Sequence, residues 1–231
     1  MNLHLIVPCY KPESGWPTQL TARFHAFSEA VSQRFETRLW VVLDGGSPDS
    51  EGVAELKPLV PGVQIIAYPD NKGKGYALRA GVGAAPGPYY LVTDIDFPYT
   101  LDSMSRVCDT LARQGGVVAG NRDQAYYAHT PVARKRISKI LRWIVRRIFR
   151  LSVDDTQCGL KAFDQNGKEA FMAVNTRRFL YDLEFLLLAQ KAGVPVTSVA
   201  VTLREGIIFS KVSLKVLLQE SRNLLRLFFM R

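Results

Sequence analysis

The chain is poor in the residues that build metal clusters and disulfide frameworks. Its 231 residues include three cysteines, Cys9, Cys108 and Cys158, which are scattered, odd in number and without Cys-x-x-Cys spacing. That pattern argues against a disulfide scaffold or a cysteine zinc site and fits a reducing compartment. Three histidines, His4, His25 and His129, show no metal-ligand spacing either. No run of 18 apolar residues occurs, so no bilayer-spanning helix is expected. The N-terminus enters an apolar strand without a basic leader, so no signal peptide is expected. One segment lacks negative charge altogether. Residues 134–150, "RKRISKILRWIVRRIFR", carry eight basic side chains and no acidic one. The formal charge of the chain is +9, so the remainder is near neutral. This distribution argues against a general nucleic-acid-binding surface and for one local anionic partner.

Apolar content of 47% and charged content of 22% are those of a globular domain long enough to bury a core. Short apolar runs at 3–10, 38–46, 63–69, 89–96 and 115–122 are rich in Val, Ile or Tyr and end in Gly, Pro or Asp, which predicts strands. Helical patterns at 17–35, 50–58, 74–84 and 101–113 lie between them. The alternation predicts an α/β fold with a mostly parallel, doubly wound sheet, whose ligands bind beyond the carboxyl ends of the strands. Tyr10, Asp44, Asp70, Asp94, Asp96 and Arg122 end those runs and are expected along one rim. After residue 124 the pattern changes to a basic helix over about 131–151, a polar loop "DDTQCGLKAF" at 154–163, a helix near 179–192, a strand over 194–205 and a second basic helix over about 211–230.

Asp94 and Asp96 form an Asp-Ile-Asp at the end of an apolar run, and in a strand the two side chains would share a face. Adjacent carboxylates repel unless a cation lies between them. Mg²⁺ or Mn²⁺ takes such hard oxygen ligands, commonly together with substrate phosphates. A pair of solvated aspartates is the plain alternative. Asp44, in "LDGGSPD", is placed to accept hydrogen bonds from a base or ribose. The glycines and lysines of "PDNKGKGYALRAG" (69–81) suit phosphate oxygens ahead of a helix N-terminus, or form an ordinary Gly-rich turn.

The order "VPCYKPE", "VVLDGGSPD", "NKGKGYALRAG", "TDID", "GNR", "DDTQCGLKAF", "YDLEFLLLAQKAG" and "REGIIFSK" resembles family 2 glycosyltransferases of GT-A (Rossmann-like) fold, over nearly the whole chain. Within that family it is most similar to the polyprenyl-phosphate branch, the dolichyl-phosphate glucosyl- and mannosyl-transferring enzymes, through "DTQCG-K-F". The resemblance implies one catalytic domain over 1–231. Residues 1–124 would form a nucleotide-sugar-binding half and 125–210 an acceptor half, with 211–231 as a C-terminal amphipathic helix. It implies that Pro8, Tyr10, Glu13, Asp44 and Lys74 hold the nucleotide sugar, that Asp94 and Asp96 bind Mg²⁺ or Mn²⁺ and the diphosphate, and that Arg122 lies near a phosphate. Asp155 and Gln157 would line the sugar pocket, with Asp155 orienting the acceptor or acting as base. Arg204, Ser210 and Lys211 would grip the acceptor phosphate. The implied partners are a nucleotide diphosphate sugar, with UDP favoured over GDP, and a polyprenyl phosphate lipid. The chain departs from the family at Pro12 and Gly45, where carboxylates are frequent. It departs again at Pro98, where some relatives place a Gln, and at Phe209, where a Gly usually precedes Ser-Lys.

Apolar residues at 137, 140, 141, 144, 145 and 148 form a helical stripe flanked by Arg and Lys, and Leu214, Leu217, Leu218, Leu224, Leu225 and Phe228 form another. Such helices lie on anionic membranes or pack their stripes on a sheet. With the implied lipid acceptor, 134–150 and 211–231 are expected at the cytosolic face of a membrane. Two alternatives remain at this level: transfer to a saccharide or protein hydroxyl, which needs a base, and a non-catalytic nucleotide-binding protein. Asp182 and Glu184 are expected to cap and pair locally with Arg177 and Arg178, or to reach the active rim.

Overall fold

The computed structural model describes residues 1–122, 149, 151, 153, 155–178 and 180–205. Both basic helices, Ser210 and Lys211 lie outside these residues. Seven strands are described: β1 (Asn2–Cys9), β2 (Glu36–Asp44), β3 (Gln64–Tyr68), β4 (Tyr89–Val92), β5 (Val117–Arg122), β6 (Lys161–Phe163) and β7 (Val196–Val201). They form one sheet in the order β3-β2-β1-β4-β6-β5-β7. β1, β2, β3 and β4 are mutually parallel where they pair, and β5 is parallel to β7. β6 runs antiparallel to both its neighbours, β4 and β5. The expected mostly parallel sheet is present, with one short antiparallel strand near its middle.

The helices are α1 (Trp16–Val31), α2 (Glu51–Leu59), α3 (Lys74–Ala84), α4 (Leu101–Gln114), α5 (Gln165–Met172) and α6 (Tyr181–Lys191). Two apolar cores cover the two faces of the sheet. Strand alternation explains the division. Leu3, Leu5, Val7 and Cys9 of β1 pack with Phe24, Phe27 and Met104, whereas Ile6 packs with Leu78, Val82, Phe163 and Phe171 on the other side. Each strand of β1, β2 and β4 is buried on both faces, which is why it reads as a continuous apolar run. Local capping fixes two helix starts. Thr100 Oγ1 accepts from the Ser103 amide at 3.3 Å, and Asp164 Oδ1 accepts from Gly167 at 3.0 Å.

Two sequence expectations need correction. The run 89–96 is strand only to Val92, and Asp94–Phe97 is a turn closed by the Phe97 amide on the Asp94 carbonyl at 3.0 Å. The two aspartates therefore stand at the first and third positions of a turn and do not share a strand face. The segment 154–163 is not all loop. Its last three residues are β6, and α5 follows directly. β6 is too short for a periodic signal, and its first residue is a fully buried lysine, contrary to strand and burial preferences.

The chain visits β1, β2 and β3 in one direction and then crosses back to place β4 on the other side of β1. The carboxyl ends of β1 and β4 thus diverge at a switch point, which opens a crevice there. Tyr10 follows β1 and Asp94 follows β4.

Candidate functional site

The Asp94–Phe97 turn is held from three sides. Phe97 is buried with φ 45°, a left-handed conformation that a bulky residue adopts only under constraint. Two guanidinium groups supply that constraint. Arg204 Nε donates to the Phe97 carbonyl at 2.7 Å and its Nη2 to the Asp96 carbonyl at 2.9 Å, while Arg23 Nη1 from α1 donates to the same Asp96 oxygen at 2.8 Å. The Arg204 amide also donates to Pro98 O at 2.9 Å. Arg204 was expected at an acceptor phosphate. Here two of its N–H groups fasten the turn, and the guanidinium has others with which to meet an anion.

On the inner side, Lys74 at the start of α3 places Nζ 2.5 Å from Asp94 Oδ1. Burial works against the Lys74 charge, but the carboxylates of Asp94, Asp182 and Asp96 outweigh it and raise its pKa. Asp96 is shifted up as well, first through partial desolvation and then through the charge of Asp94. Two carboxylates that repel each other beside a bound ammonium form a seat for cations. Among the described residues no cluster of three or more His, Cys, Asp or Glu side chains could hold a metal ion. Asp94 and Asp96 nevertheless fit Mg²⁺ or Mn²⁺, which binds through one or two carboxylates and takes its remaining oxygens from phosphates and water. Pro98 is buried and offers no side-chain ligand, so the rest of such a shell would come from phosphate and water oxygens or from another residue.

The block 155–161 closes the third side. Gly159 lies so near the turn that a Cβ there would stand 2.9 Å from Asp94 Oδ2 and 3.3 Å from Lys74 Nζ. Only glycine allows that approach. Its amide donates to Tyr99 Oη at 3.0 Å, and Cys158 Sγ lies 3.3 Å from the same oxygen. Lys161 pins the block from within β6. Its fully buried ammonium donates to Thr156 O at 3.1 Å, to Cys158 O at 2.5 Å and to Asp182 on α6. Asp182 thus pairs with Lys161, and Glu184 accepts from the Thr176 amide at 2.7 Å. Burial still raises the Asp182 carboxyl above its ordinary value, although Lys161 and Lys74 oppose the shift.

Asp155 forms a fork with Arg122 at the end of β5. Nε–Oδ2 is 2.6 Å and Nη2–Oδ1 is 2.7 Å, and the Arg122 amide adds a bond of 3.1 Å. Burial alone would raise the Asp155 pKa, but the guanidinium outweighs it and holds the carboxyl below its usual range. Gln157 is half-buried beside this pair, and its buried Nε2 has no hydrogen-bond partner among the described residues.

At the end of β2, Asp44 is buried, and it organises the loop ahead of α3. Its oxygens accept from Lys72 N at 2.6 Å, Gly73 N at 2.9 Å and Asn71 Nδ2 at 3.1 Å. Gly45 takes φ 87° with its Cβ position 3.1 Å from the Asn71 amide, so the carboxylate usual there in relatives would meet strain at this position. Tyr10 is half exposed beyond β1 with Lys11 Nζ 5.4 Å above its ring, and Glu13 is exposed in the following loop. Pro8 lies within β1 beside Val42 of β2. The three thiols are buried wall and core groups. Burial raises all three, Cys9 to about 12, so none is a nucleophile at neutral pH.

The structure therefore brings Lys74, Asp94, Asp96 and Arg204 together at one turn, and the Arg122–Asp155 pair adjoins it through the Cys158–Gly159 contact with Tyr99. Sequence reasoning missed Arg23, Tyr99, Gly159 and Lys161. The last two carried a signal as fixed letters of "DTQCGLKAF", whereas Arg23 is one basic residue in an amphipathic helix and carried none.

Comparisons with known proteins bear on the family and the fold. The sequence pattern of glycosyl transferase family 2 matches residues 5–174. The chain is similar to dolichyl-phosphate beta-glucosyltransferase of Dictyostelium discoideum, with 27% identity over 88% of the chain and 66% of the relative. Against the Drosophila melanogaster protein of that name, identity is 28% over 87% of the chain and 66% of the relative. The chain thus spans about two thirds of the length of these relatives. Among solved structures, mannosyl-3-phosphoglycerate synthase of Rubrobacter xylanophilus superposes with a TM-score of 0.67 at 15% identity, covering 99% of this chain and 73% of that one. Glucosyl-3-phosphoglycerate synthase of Mycobacterium tuberculosis, solved with Mg²⁺ and UDP, gives 0.63 at 13% identity, covering 96% and 75%. The shared fold is GT-A.

Proposed function

The chain belongs to glycosyl transferase family 2, and on that premise we propose that it is a metal-dependent inverting hexosyltransferase. It moves a sugar from a nucleotide diphosphate donor, UDP-linked in preference to GDP-linked, to a polyprenyl phosphate of the dolichyl type at the cytosolic face of a membrane. The observation that carries the acceptor class is the state of the two candidate bases. Asp155 is locked in a fork with Arg122 and its proton affinity is lowered. Asp182 is buried against Lys161. A base needs access to the hydroxyl and a pKa near the working pH; the Arg122 fork denies Asp155 both, and Asp182, although burial raises its pKa, is enclosed against Lys161. A phosphate monoester brings its own anionic oxygen and needs no such base. That oxygen attacks the anomeric carbon, the bond from that carbon to the diphosphate breaks, and the nucleoside diphosphate leaves with both electrons.

Asp94 and Asp96 would hold Mg²⁺ or Mn²⁺, which when bound would supply charge neutralisation at the departing diphosphate. Lys74 adds a further positive charge there, Gln157 Nε2 offers a donor to a sugar hydroxyl, Arg204 offers guanidinium N–H groups to the acceptor phosphate, and Arg122 adds positive charge near it. The names of the relatives and the letters "DTQCG-K-F" support a dolichyl-type acceptor. Among the described residues no helix is long and apolar enough to cross a membrane. Attachment through 134–150 and 211–231 rests on their sequence alone.

The test is a donor panel of UDP- and GDP-sugars with Mn²⁺ and a short polyprenyl phosphate. Lipid-linked hexose is expected with a UDP-sugar, and Asp94→Ala or Asp96→Ala should reduce turnover at least a thousandfold. Transfer to a soluble saccharide but never to the lipid would overturn the acceptor assignment. Full activity of both alanine variants would overturn the metal site.

A further inference from the structure

The 2.5 Å ion pair between Lys74 and Asp94 Oδ1 takes one of the two carboxylate oxygens, and part of the negative charge, on which a divalent cation would draw. Lys74 is the first residue of α3, and its side chain is 22% exposed, so its ammonium has little open water to retreat into. The carboxylates of Asp94, Asp96 and Asp182 surround it, and the Asp182 charge is already taken by Lys161. Gly159 limits movement from the other side, with its Cβ position 3.3 Å from Nζ. A divalent ion on the other oxygen, Oδ2, would stand close to that ammonium. At about 4 Å, like charges near a protein surface repel by several kcal/mol at an effective dielectric of about 20. An anion placed between them removes that conflict, and the diphosphate of the donor is such an anion.

Resting on the metal-dependent reading above, we propose that Lys74 couples metal binding to diphosphate binding. In the absence of nucleotide its ammonium competes with the divalent cation for Asp94. When the diphosphate arrives, Lys74 turns from Asp94 to the phosphate oxygens, and the carboxylate is released to the metal. The two ligands then bind with positive cooperativity, and binding linkage makes the effect reciprocal. Lys74 is thus a donor-binding residue that also keeps the protein from taking up metal without substrate. The amides of Gly73 and Tyr76 are already taken, by Asp44 and by the Arg177 carbonyl at 3.2 Å, so the Lys74 ammonium carries the phosphate contact.

The experiment uses the full chain and reads Mn²⁺ binding by electron paramagnetic resonance, with and without UDP, independently of turnover. For the wild-type protein the Mn²⁺ dissociation constant should fall at least tenfold when UDP is present. In Lys74→Met, Mn²⁺ alone should bind about fivefold tighter, because a partly exposed ion pair contributes about that factor. UDP should bind more weakly to this variant, and the mutual enhancement should shrink by about fivefold, leaving the part that comes from direct contact of metal and diphosphate. Lys74→Arg keeps the charge and should retain most of the coupling, which guards against a folding artefact in the Met variant. Wild-type coupling that persists unchanged in Lys74→Met overturns the role of Lys74 and leaves the metal site standing. Failure of the wild-type protein to bind Mn²⁺ with UDP present overturns both.

Discussion

Replacing Lys161 by Met should be among the most damaging single changes outside the reacting groups. Lys161 is fully buried, and its three donors all have partners: Thr156 O, Cys158 O and Asp182. Methionine fits the volume but removes the charge. Stranding one member of a buried pair costs about 3–5 kcal/mol, and the two carbonyls lose a donor as well. These contributions share one group and do not simply add, so about 4 kcal/mol is a sound figure for the whole. In a chain of this length about 1 kcal/mol moves Tm by about 2–4 °C, which predicts a fall of about 8–16 °C. The loss should depend on pH. Burial already raises the Asp182 pKa, and without Lys161 it rises further. The folded variant then takes up a proton that the unfolded chain, with a carboxyl pKa near about 3.9, does not hold at neutral pH. Where the native state binds more protons, stability falls as pH rises. The deficit should therefore be largest near pH 8 and shrink towards pH 5. Adding Asp182→Leu should recover most of the stability, because a paired apolar replacement of a buried ion pair is commonly neutral. Differential scanning calorimetry of the two variants across pH measures all of this. A Tm loss below about 3 °C with no pH trend would refute the clamp and the burial argument together.

Two other changes probe the turn and its neighbours. Gly159→Ala places a methyl 2.9 Å from Asp94 Oδ2. Displacing a reacting group by a fraction of an ångström to 1 Å costs about a hundredfold in rate, while overpacking costs about 1–3 kcal/mol of stability. Steady-state rates and Tm measured together would separate the two, and wild-type kcat would refute the close approach. Arg23→Ala and Arg204→Ala each remove a donor from the Asp96 carbonyl. Each should weaken Mn²⁺ binding in the presence of UDP by about tenfold, the scale of a charge-assisted hydrogen bond. The double variant should lose less than the product, because both act on one oxygen. Unchanged Mn²⁺ affinity in both single variants would show that the turn holds its shape unaided.

Strand–helix alternation, the two apolar faces of β1 and the Asp-Ile-Asp at the end of β4 were legible in the sequence because they are local patterns of period and punctuation. The family letters also placed "DTQCGLKAF" at the site without any coordinates. The tertiary structure decided what those residues do to one another. Asp155 carries no mark in sequence that Arg122, 33 positions earlier, takes both its oxygens and lowers its proton affinity. Arg204 reaches back 108 positions to the Asp96 carbonyl, and Arg23 reaches forward 73 positions to the same atom. β6, three residues long and opened by a buried lysine, contradicts every local preference and exists because β4 and β5 flank it and Asp182 neutralises it. Sequence determines which groups are available and along which rim they gather. Only the folded chain brings them within hydrogen-bond distance, and the free energy of a charge depends on that neighbourhood and not on its neighbours in the chain.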